Sequence, residues 1–277
     1  MSNPEIKEYL SRVGIRKIAE LDTALLEAFG EKEGRRQIET LTELYDRAEE
    51  RLYFGAGDSL YLRRQEELVD YFNADTKRSV LASSFYDRVF FRKALEYLVS
   101  MDDYVSGEIL DIGCGNGILS GFLASRHPEL TVTGTDLSER ALSVARDISV
   151  GMNLTNISFI SPEAMRGKNC DTLFSCRTFH ENVPWKPLCE TKKQENLSLE
   201  ELSDLHKGFV RKLSGLMRPK GYLISIERYE DDIAYAGMVQ ALERAGLSRV
   251  RGTHQQFSCK NGDEMATFQA NVFAQTL

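Results

Sequence analysis

An aspartate followed by three evenly spaced glycines is the part of the chain best suited to binding a small ligand. Asp111 ends an apolar run, and Gly113, Gly115 and Gly117 follow it at alternate positions. Glycine carries no Cβ, so the backbone can turn sharply there and a ligand can approach it closely. A helical pattern begins after Gly117. The sequence therefore predicts a strand, a glycine loop and a helix that together bind a nucleotide-like ligand.

The spacing of the glycines distinguishes two classes of ligand. A dinucleotide-binding loop has the pattern G-x-G-x-x-G, and the N-terminus of its helix faces a pyrophosphate. This chain has G-x-G-x-G, with Ile118 at the third position of the dinucleotide pattern. Asp111 would repel a pyrophosphate but could accept hydrogen bonds from an ammonium group. The pattern therefore favours a ligand with a positive charge over a ligand with two phosphates.

A second acid lies where a βαβ unit places its ribose-binding carboxylate. Asp136 ends the β-rich run 131–135, about 20 residues after the last glycine. Ser138 is a suitable N-cap for the helical pattern that follows. Asp136 is therefore predicted to accept hydrogen bonds from a ribose, and the alternative is an ordinary acid between a strand end and a helix.

In this order, the motifs resemble those of the class I S-adenosylmethionine-dependent methyltransferases. The resemblance covers residues 105–277, with 111–117 as the family's first motif and 132–138 as its second. Three more segments resemble the adenine-edge, fourth-strand and fifth-strand motifs of the family: Phe159–Ala164, Asp171–His180 and Leu216–Ile224. Five motifs in the right order and spacing make the resemblance specific.

The resemblance implies S-adenosylmethionine as the cofactor and assigns residues to it. Asp111 would hold the ammonium group, the glycine loop the methionine end and Asp136 the ribose hydroxyls. Leu137 would pack on the adenine face, where ordinary core packing is the alternative, and Glu163 would accept from the adenine amino group. The complete set implied is Asp111, Gly113, Gly115, Gly117, Asp136, Leu137, Glu163, Ala164, Cys176 and Tyr86.

His180 is the predicted catalytic residue, because it ends the fourth-strand motif near the expected position of the methyl group. A neutral imidazole could take a proton from the acceptor, and the alternative is a histidine that fixes a loop by hydrogen bonds. The long loop Glu181–Leu197 holds Trp185 and precedes Ser198, which with Glu201 forms a capping-box pattern. This loop is predicted to be a substrate lid, with a solvated insertion as the alternative.

The elements that must position these residues alternate between strands and helices after residue 108. We predict strands near 108–112, 131–135, 156–160, 171–176 and 221–227, and helices near 117–126, 138–149, 198–217 and 231–245. The β-rich stretches 247–257 and 265–275 flank Asn261-Gly262, which is a hairpin signal. The predicted fold is a doubly wound α/β fold with a mostly parallel seven-stranded sheet and an antiparallel C-terminal hairpin.

The first hundred residues are predicted to be wholly helical. Apolar residues recur at helical spacing, as between Ile38 and Leu52. Two domains follow from this change of pattern: a helical region at 1–104, which would serve as a lid, a docking surface or a dimer interface, and a methyltransferase domain at 105–277. Tyr86 belongs to the first region. A buried aromatic stripe is the alternative to its contact with the methionine carboxylate.

Composition limits the classes of function. The chain has 277 residues, 42% of them hydrophobic, with no apolar stretch of membrane-spanning length and no visible signal peptide. Its five cysteines lack C-x-x-C spacing, which favours reduced thiols in a cytoplasm. The net charge of −7 argues against a large nucleic-acid footprint. The scattered histidines show no metal-ligand spacing, so no metal is expected.

These observations predict a cytoplasmic S-adenosylmethionine-dependent methyltransferase that acts on a small-molecule acceptor without a metal. Nucleic acid and membranes are not expected as partners, and the N-terminal helices could form a homodimer. Two alternatives stay open: a non-catalytic S-adenosylmethionine-binding module, and a protein or RNA methyltransferase that docks through the N-terminal helices. A nicotinamide-dependent oxidoreductase is the least favoured because of the glycine spacing.

Overall fold

The alternating part of the chain forms one mixed sheet with helices on both faces. A computed structural model describes residues 3–49, 67–165, 167–179, 182–183, 197–229, 231–261 and 264–276. The strands are β1 Glu108–Ile112, β2 Thr131–Thr135, β3 Ile157–Ile160, β4 Cys170–Cys176, β5 Met217–Arg228, β6 Leu247–Arg249, β7 Gln255–Asn261 and β8 Glu264–Gln275. Their order is β3-β2-β1-β4-β5-β8-β6, and β7 pairs with β8.

The sheet confirms the predicted fold class. Strands β1 to β5 run parallel, whereas β8 runs antiparallel to β5, β6 and β7. The central strands read as nearly continuous apolar runs because helices cover both of their faces. Since β1 and β2 are neighbours, their carboxyl ends bring the two predicted cofactor acids to the same edge of the sheet.

The sheet has eight strands, one more than predicted, because the stretch 247–257 does not form a single strand. A turn around Gly252, where φ is +84°, separates β6 from β7. Strand β6 pairs with the end of β8, whereas β7 pairs with its first half. The long strand β8 therefore has two short partners on the same side.

The helices agree with the predicted positions, with one internal change. They are α1 Pro4–Val13, α2 Leu21–Phe29, α3 Glu31–Glu49, α4 Thr76–Ala82, α5 Arg88–Ser100, α6 Ile118–Arg126, α7 Glu139–Gly151, α8 Leu199–Ser214 and α9 Asp232–Arg244, and residues 67–72 are also helical. In the first hundred residues, which were predicted to be wholly helical, a π-helical segment, Ser83–Asp87, separates α4 from α5. Ser138 caps α7, and Ser198 with Glu201 forms the predicted capping box of α8.

The N-terminal helices belong to two separate apolar clusters. Helices α1 and α5 belong to the core that includes β1, and the Tyr9 hydroxyl donates to the Ile118 carbonyl at 2.6 Å. Residues between Leu21 and Leu81 form a separate cluster. The domain boundary at residue 104 stays a prediction. Within the described ranges, none of the helices combines the length and the apolar character that a bilayer span requires.

Candidate active site at the carboxyl edge of the sheet

The glycine loop, residues 113–117, lies between the ends of β1 and β2. Its three glycines have φ values of +70°, +52° and +73°. The amides of Gly113 and Cys114 donate to the Thr135 carbonyl at 2.8 and 3.0 Å, which fastens the loop to the last residue of β2. The Gly115 amide donates to Asp136 Oδ2 at 2.9 Å. The loop therefore joins the two strands that carry the predicted cofactor acids.

Two of these glycines require the absence of a side chain for different reasons. A Cβ on Gly113 would lie 2.3 Å from Thr178 Cγ2, so Gly113 allows the end of β4 to pack against the loop. A Cβ on Gly115 would meet no heavy atom of the described residues within 4 Å. Gly115 thus leaves an open cradle on the side of the loop that a ligand can approach, in a conformation that other residues rarely adopt.

Asp111 lies below this loop with one carboxylate oxygen unpartnered. Its side chain is 1% exposed, and Oδ2 accepts a hydrogen bond from the Ser120 hydroxyl. Oδ1 is buried and has no hydrogen-bond partner among the described residues. Burial raises the pKa of Asp111 to about 7, and the nearby charge of Asp136 adds to the rise. An ammonium group of a ligand would satisfy Oδ1 and favour the ionised form.

Asp136 is held by the backbone on both of its carboxylate oxygens. Oδ2 accepts from the Gly115 amide and Oδ1 accepts from the Ser138 amide, each at 2.9 Å. A carboxylate oxygen has two lone pairs, so each one can still accept from a ribose hydroxyl. Next to it, the Leu137 side chain is 87% exposed, which rules out core packing and leaves it free to cover an adenine ring.

The other predicted cofactor residues lie on three different elements. Glu163 and Ala164 are exposed in a 3-10 turn that follows β3. Cys176 ends β4, and burial raises its pKa well above the usual range of a thiol, so it is not a nucleophile there. Tyr86 lies in the π-helical segment, where its hydroxyl bonds with that of Tyr45. Their assignments to the cofactor stay predictions.

The predicted catalytic residue, His180, lies outside the described residues. The same holds for Trp185 and for most of the predicted lid 181–197. The residues before His180, 175–179, are described and form what we call the strand-4 turn. Phe179 and Thr178 are buried there, and Ser175 Oγ lies 2.5 Å from Thr178 Oγ1.

Sequence reasoning missed residues that fasten distant elements to this edge. Asn116 Nδ2 donates to the hydroxyls of Ser79 and Ser83 at 2.9 Å each, which ties α4 and the π-helical segment to the glycine loop. Arg177 Nη1 donates to Asp87 Oδ1 at 2.9 Å. Each contact joins residues more than 30 positions apart, so no local sequence pattern predicts it. The position of Asn116 inside the glycine motif was the only available signal.

A metal centre is absent from the part of the chain that the structure describes. No group of three or more histidine, cysteine, aspartate or glutamate side chains in that part is placed to hold an ion.

Comparisons with known proteins point to one family. The profile of a family described as a methyltransferase domain matches residues 109–190. A ribosomal RNA large subunit methyltransferase G of Vibrio atlanticus is 25% identical over 221 residues, which cover 74% of this chain and 56% of that protein. A ribosomal RNA small subunit methyltransferase C of an Enterobacter species is 31% identical over 118 residues, covering 42% and 31%. The chain spans about a third to about half the length of the curated relatives it matches.

The solved structures include a crystal structure of a putative RNA methyltransferase from Pyrococcus horikoshii. It has a TM-score of 0.49 and 14% identity, and the match covers 69% of this chain and 85% of that one.

These relatives overturn one prediction. A small-molecule acceptor was expected, with nucleic acid disfavoured as a partner, but the matched relatives are named as ribosomal RNA methyltransferases. The expectation failed because a net charge of −7 is a sum over the whole chain and says nothing about where the charges lie.

The matched segment 109–190 contains the βαβ unit with the glycine loop, the buried Asp111 and the backbone-held Asp136. The open cradle at Gly115 and the unpartnered oxygen of Asp111 fit the amino-acid end of S-adenosylmethionine. Because sequence motif, fold and family match agree on this one unit, the chain contains a methyltransferase domain of the class I S-adenosylmethionine-dependent kind.

Proposed function

We propose that the protein transfers a methyl group from S-adenosylmethionine to ribosomal RNA. The observation that carries this proposal is the similarity to relatives named as ribosomal RNA methyltransferases, of which one matches 74% of the chain. The matched region includes the glycine loop and both cofactor acids, so the similarity covers the site as well as the fold. We further propose that the reaction takes place in the cytoplasm.

The contacts already described support the proposed cofactor half of the site. Asp111 Oδ1 would accept from the ammonium group, the loop at Gly115 would receive the methionine end, and Asp136 would accept from the ribose. Leu137 would cover the adenine ring with its exposed side chain. Bound S-adenosylmethionine supplies a methyl group on a positively charged sulfur, from which a nucleophile can take it in line.

The acceptor half is built from the strand-4 turn and the residues that follow it. We propose that His180, which follows Phe179 in the chain, accepts a proton from the acceptor or orients it. Alignment of the reacting atoms contributes much of the rate in such a transfer, so the turn that leads to His180 is a determinant of turnover. His180→Ala should lower turnover about 100-fold and leave cofactor affinity nearly unchanged.

A methyl-transfer assay tests the proposal. Radiolabelled S-adenosylmethionine is incubated with unmodified transcripts of large- and small-subunit ribosomal RNA, both naked and bound to ribosomal proteins. Label should enter one RNA at a single position, which fragment analysis would locate. At limiting cofactor, the variant Asp136→Ala should incorporate at least about tenfold less label, because it lacks the proposed ribose contact. Transfer to small molecules or to protein, with none to RNA, would overturn the proposal. Tight cofactor binding without any transfer would indicate the non-catalytic module.

A further inference from the structure

A fully buried carboxylate touches the strand-4 turn from the neighbouring strand. Glu227, near the end of β5, is 0% exposed. Its Oε1 accepts from the Ser175 hydroxyl at 2.8 Å, and its Oε2 accepts from the Phe179 amide at 3.0 Å. One side chain therefore holds both the first and the last residue of the turn. The mechanism described above gives Glu227 no role.

The turn that Glu227 spans has a backbone conformation that requires support. Arg177 has φ +61°, although it is not glycine, and this region costs about 1–2 kcal/mol for a residue with a Cβ. The Arg177 amide donates to the Ile226 carbonyl at 2.9 Å, and its guanidinium lies 5.4 Å from the centre of the Phe90 ring. Strained backbone persists where the surroundings hold it, and such places concentrate at functional sites.

The strand-4 turn also packs against the glycine loop of the proposed cofactor site. The Thr178 methyl group occupies the space into which a Cβ on Gly113 would project. The Thr178 hydroxyl is bonded to Ser175, which in turn donates to Glu227. A continuous path of contacts thus runs from the glycine loop through Thr178 and Ser175 to Glu227. A shift of the turn would move the residues that follow it relative to the cofactor.

Stability alone does not explain a carboxylate at this position. Burying an ionised or neutral carboxyl group away from water costs free energy that its hydrogen bonds offset only in part. An apolar side chain on β5 would avoid that cost, but it would leave the Phe179 amide without this acceptor. The two hydrogen bonds to Ser175 and Phe179 therefore match the carboxylate to the turn.

We propose that Glu227 is a positioning residue for methyl transfer, which holds the strand-4 turn in the conformation that aligns the acceptor with the methyl group. The expected effect of Glu227 on turnover rests on the proposed function. The structural part of the proposal, the hold on the turn, is independent of which acceptor is used. In this proposal Glu227 acts through Ser175 and Phe179.

Two substitutions of Glu227 distinguish a positioning role from an effect of its negative charge. In Glu227→Gln, the side-chain oxygen can still accept a hydrogen bond from the Phe179 amide. The side-chain NH2 group would donate to the Ser175 hydroxyl oxygen, and the Ser175 hydroxyl would then donate to Thr178. Glu227→Ala removes both acceptors. The matched control is Asn271→Ala, on the neighbouring strand β8, because Asn271 is 1% exposed and bonds to Tyr235 instead of to the turn.

The experiment measures turnover on ribosomal RNA, affinity for S-adenosylhomocysteine by calorimetry, and amide hydrogen exchange of peptides that cover 172–179. Glu227→Ala should lower kcat about 30-fold or more, and change KM for RNA and cofactor affinity by less than about threefold. Exchange at Phe179 should accelerate about tenfold or more, with other peptides unchanged. Glu227→Gln should recover kcat to within about fivefold of wild type, and Asn271→Ala should keep it.

The outcomes distinguish the two proposals. If wild-type protein methylates no RNA, the proposed function fails, and hydrogen exchange alone decides the role of Glu227. Faster exchange confined to the turn in Glu227→Ala supports the inference. Unchanged exchange, or acceleration spread over the whole protein in both Ala and Gln variants, overturns it. Where RNA is methylated, a Glu227→Ala variant with wild-type kcat also overturns it, as does an equal loss of kcat in Asn271→Ala.

Discussion

The glycine loop and the strand-4 turn lie at the ends of neighbouring strands, and both use left-handed backbone. In the loop, all three left-handed residues are glycines, so the conformation follows from residue type. In the turn, the left-handed residue is Arg177, which is held by Asp87 from 90 positions away. Glu227 holds Phe179 across 48 positions. Residue type sets the left-handed backbone of the loop, although Asn116 also ties the loop to Ser79 and Ser83, whereas contacts across the fold hold the left-handed residue of the turn.

This difference divides the site into two halves with different sensitivities. The cofactor half should tolerate changes in distant packing but fail when a side chain enters the loop. The acceptor half should respond to changes in β5 and in the N-terminal helices, which supply Glu227, Asp87 and Phe90. The following predictions test that division, beginning with the largest expected effect.

Gly115→Leu should abolish measurable cofactor binding, with a loss of at least about 100-fold in affinity for S-adenosylhomocysteine by calorimetry. The added side chain would fill the open cradle. Gly252→Leu is the matched control, because Gly252 also has positive φ, at +84°, and no heavy atom of the described residues within 4 Å of its Cβ position. Both variants should lose about 1–2 kcal/mol of stability from the strained backbone, but only Gly115→Leu should lose the ligand. Equal binding by both variants would remove the loop from the site.

Asp136→Ala should weaken binding of S-adenosylhomocysteine by about 1.5–3 kcal/mol, because charge-assisted hydrogen bonds to the ribose are lost. Asp231→Ala is the control, since Asp231 also accepts a backbone hydrogen bond, from Ile233 at 2.8 Å, at the start of α9. The control should cost about 1 kcal/mol of stability and leave cofactor affinity unchanged. An Asp136→Ala variant with wild-type affinity would contradict the ribose assignment.

Cofactor affinity should rise with pH as Asp111 ionises. Its pKa is raised to about 7 by burial, so near pH 6 only about a tenth of the carboxyl is charged and able to pair with an ammonium. Affinity for S-adenosylhomocysteine should therefore increase about tenfold between pH 6 and pH 8. Asp111→Asn should remove this dependence. A parallel rise in the Asn variant would assign the titration to another group.

The raised pKa of Asp111 also predicts that the stability of the folded protein falls as pH rises, whereas cofactor affinity increases. The unfolded-state pKa of an aspartate is about 4, so between about pH 4 and pH 7 the unfolded chain has lost the proton that the folded chain retains. The contribution of Asp111 to the free energy of unfolding should fall as pH rises through this window and level off above it. Denaturant titrations at several pH values would test this. As pH rises from about 4 to 7, the free energy of unfolding of Asp111→Asn should increase relative to that of the wild type.

Asp87→Ala should have the smallest effect, a drop of about threefold to fivefold in turnover on RNA. The partly exposed Asp87–Arg177 ion pair is worth at most about 1 kcal/mol, and the other contacts of the turn remain. Asp70→Ala, which removes an exposed pair with Arg140, is the control and should leave turnover unchanged. A loss above about 30-fold for Asp87→Ala would mean that the N-terminal helices, and not Glu227, dominate the position of the turn.

Much of the fold was predictable because its signals are local. The strands β1 to β5 are apolar or β-rich runs, and Ser138 and Ser198 are caps whose side chains act on residues three positions away. The division of 247–257 into two strands was not predictable, because it depends on which parts of β8 remain available for pairing. The π-helical segment Ser83–Asp87 likewise lies inside an otherwise continuous helical pattern.

The sequence by itself determined the cofactor half of the site, since glycine spacing and strand-end acids act within one βαβ unit. Only the tertiary structure decided the acceptor half, because Glu227, Asp87 and the strand-4 turn come from segments whose distance in the chain is unrelated to their distance in space. Burial also had to be observed before the raised pKa of Asp111 could be known, since desolvation depends on every element packed around the carboxyl group.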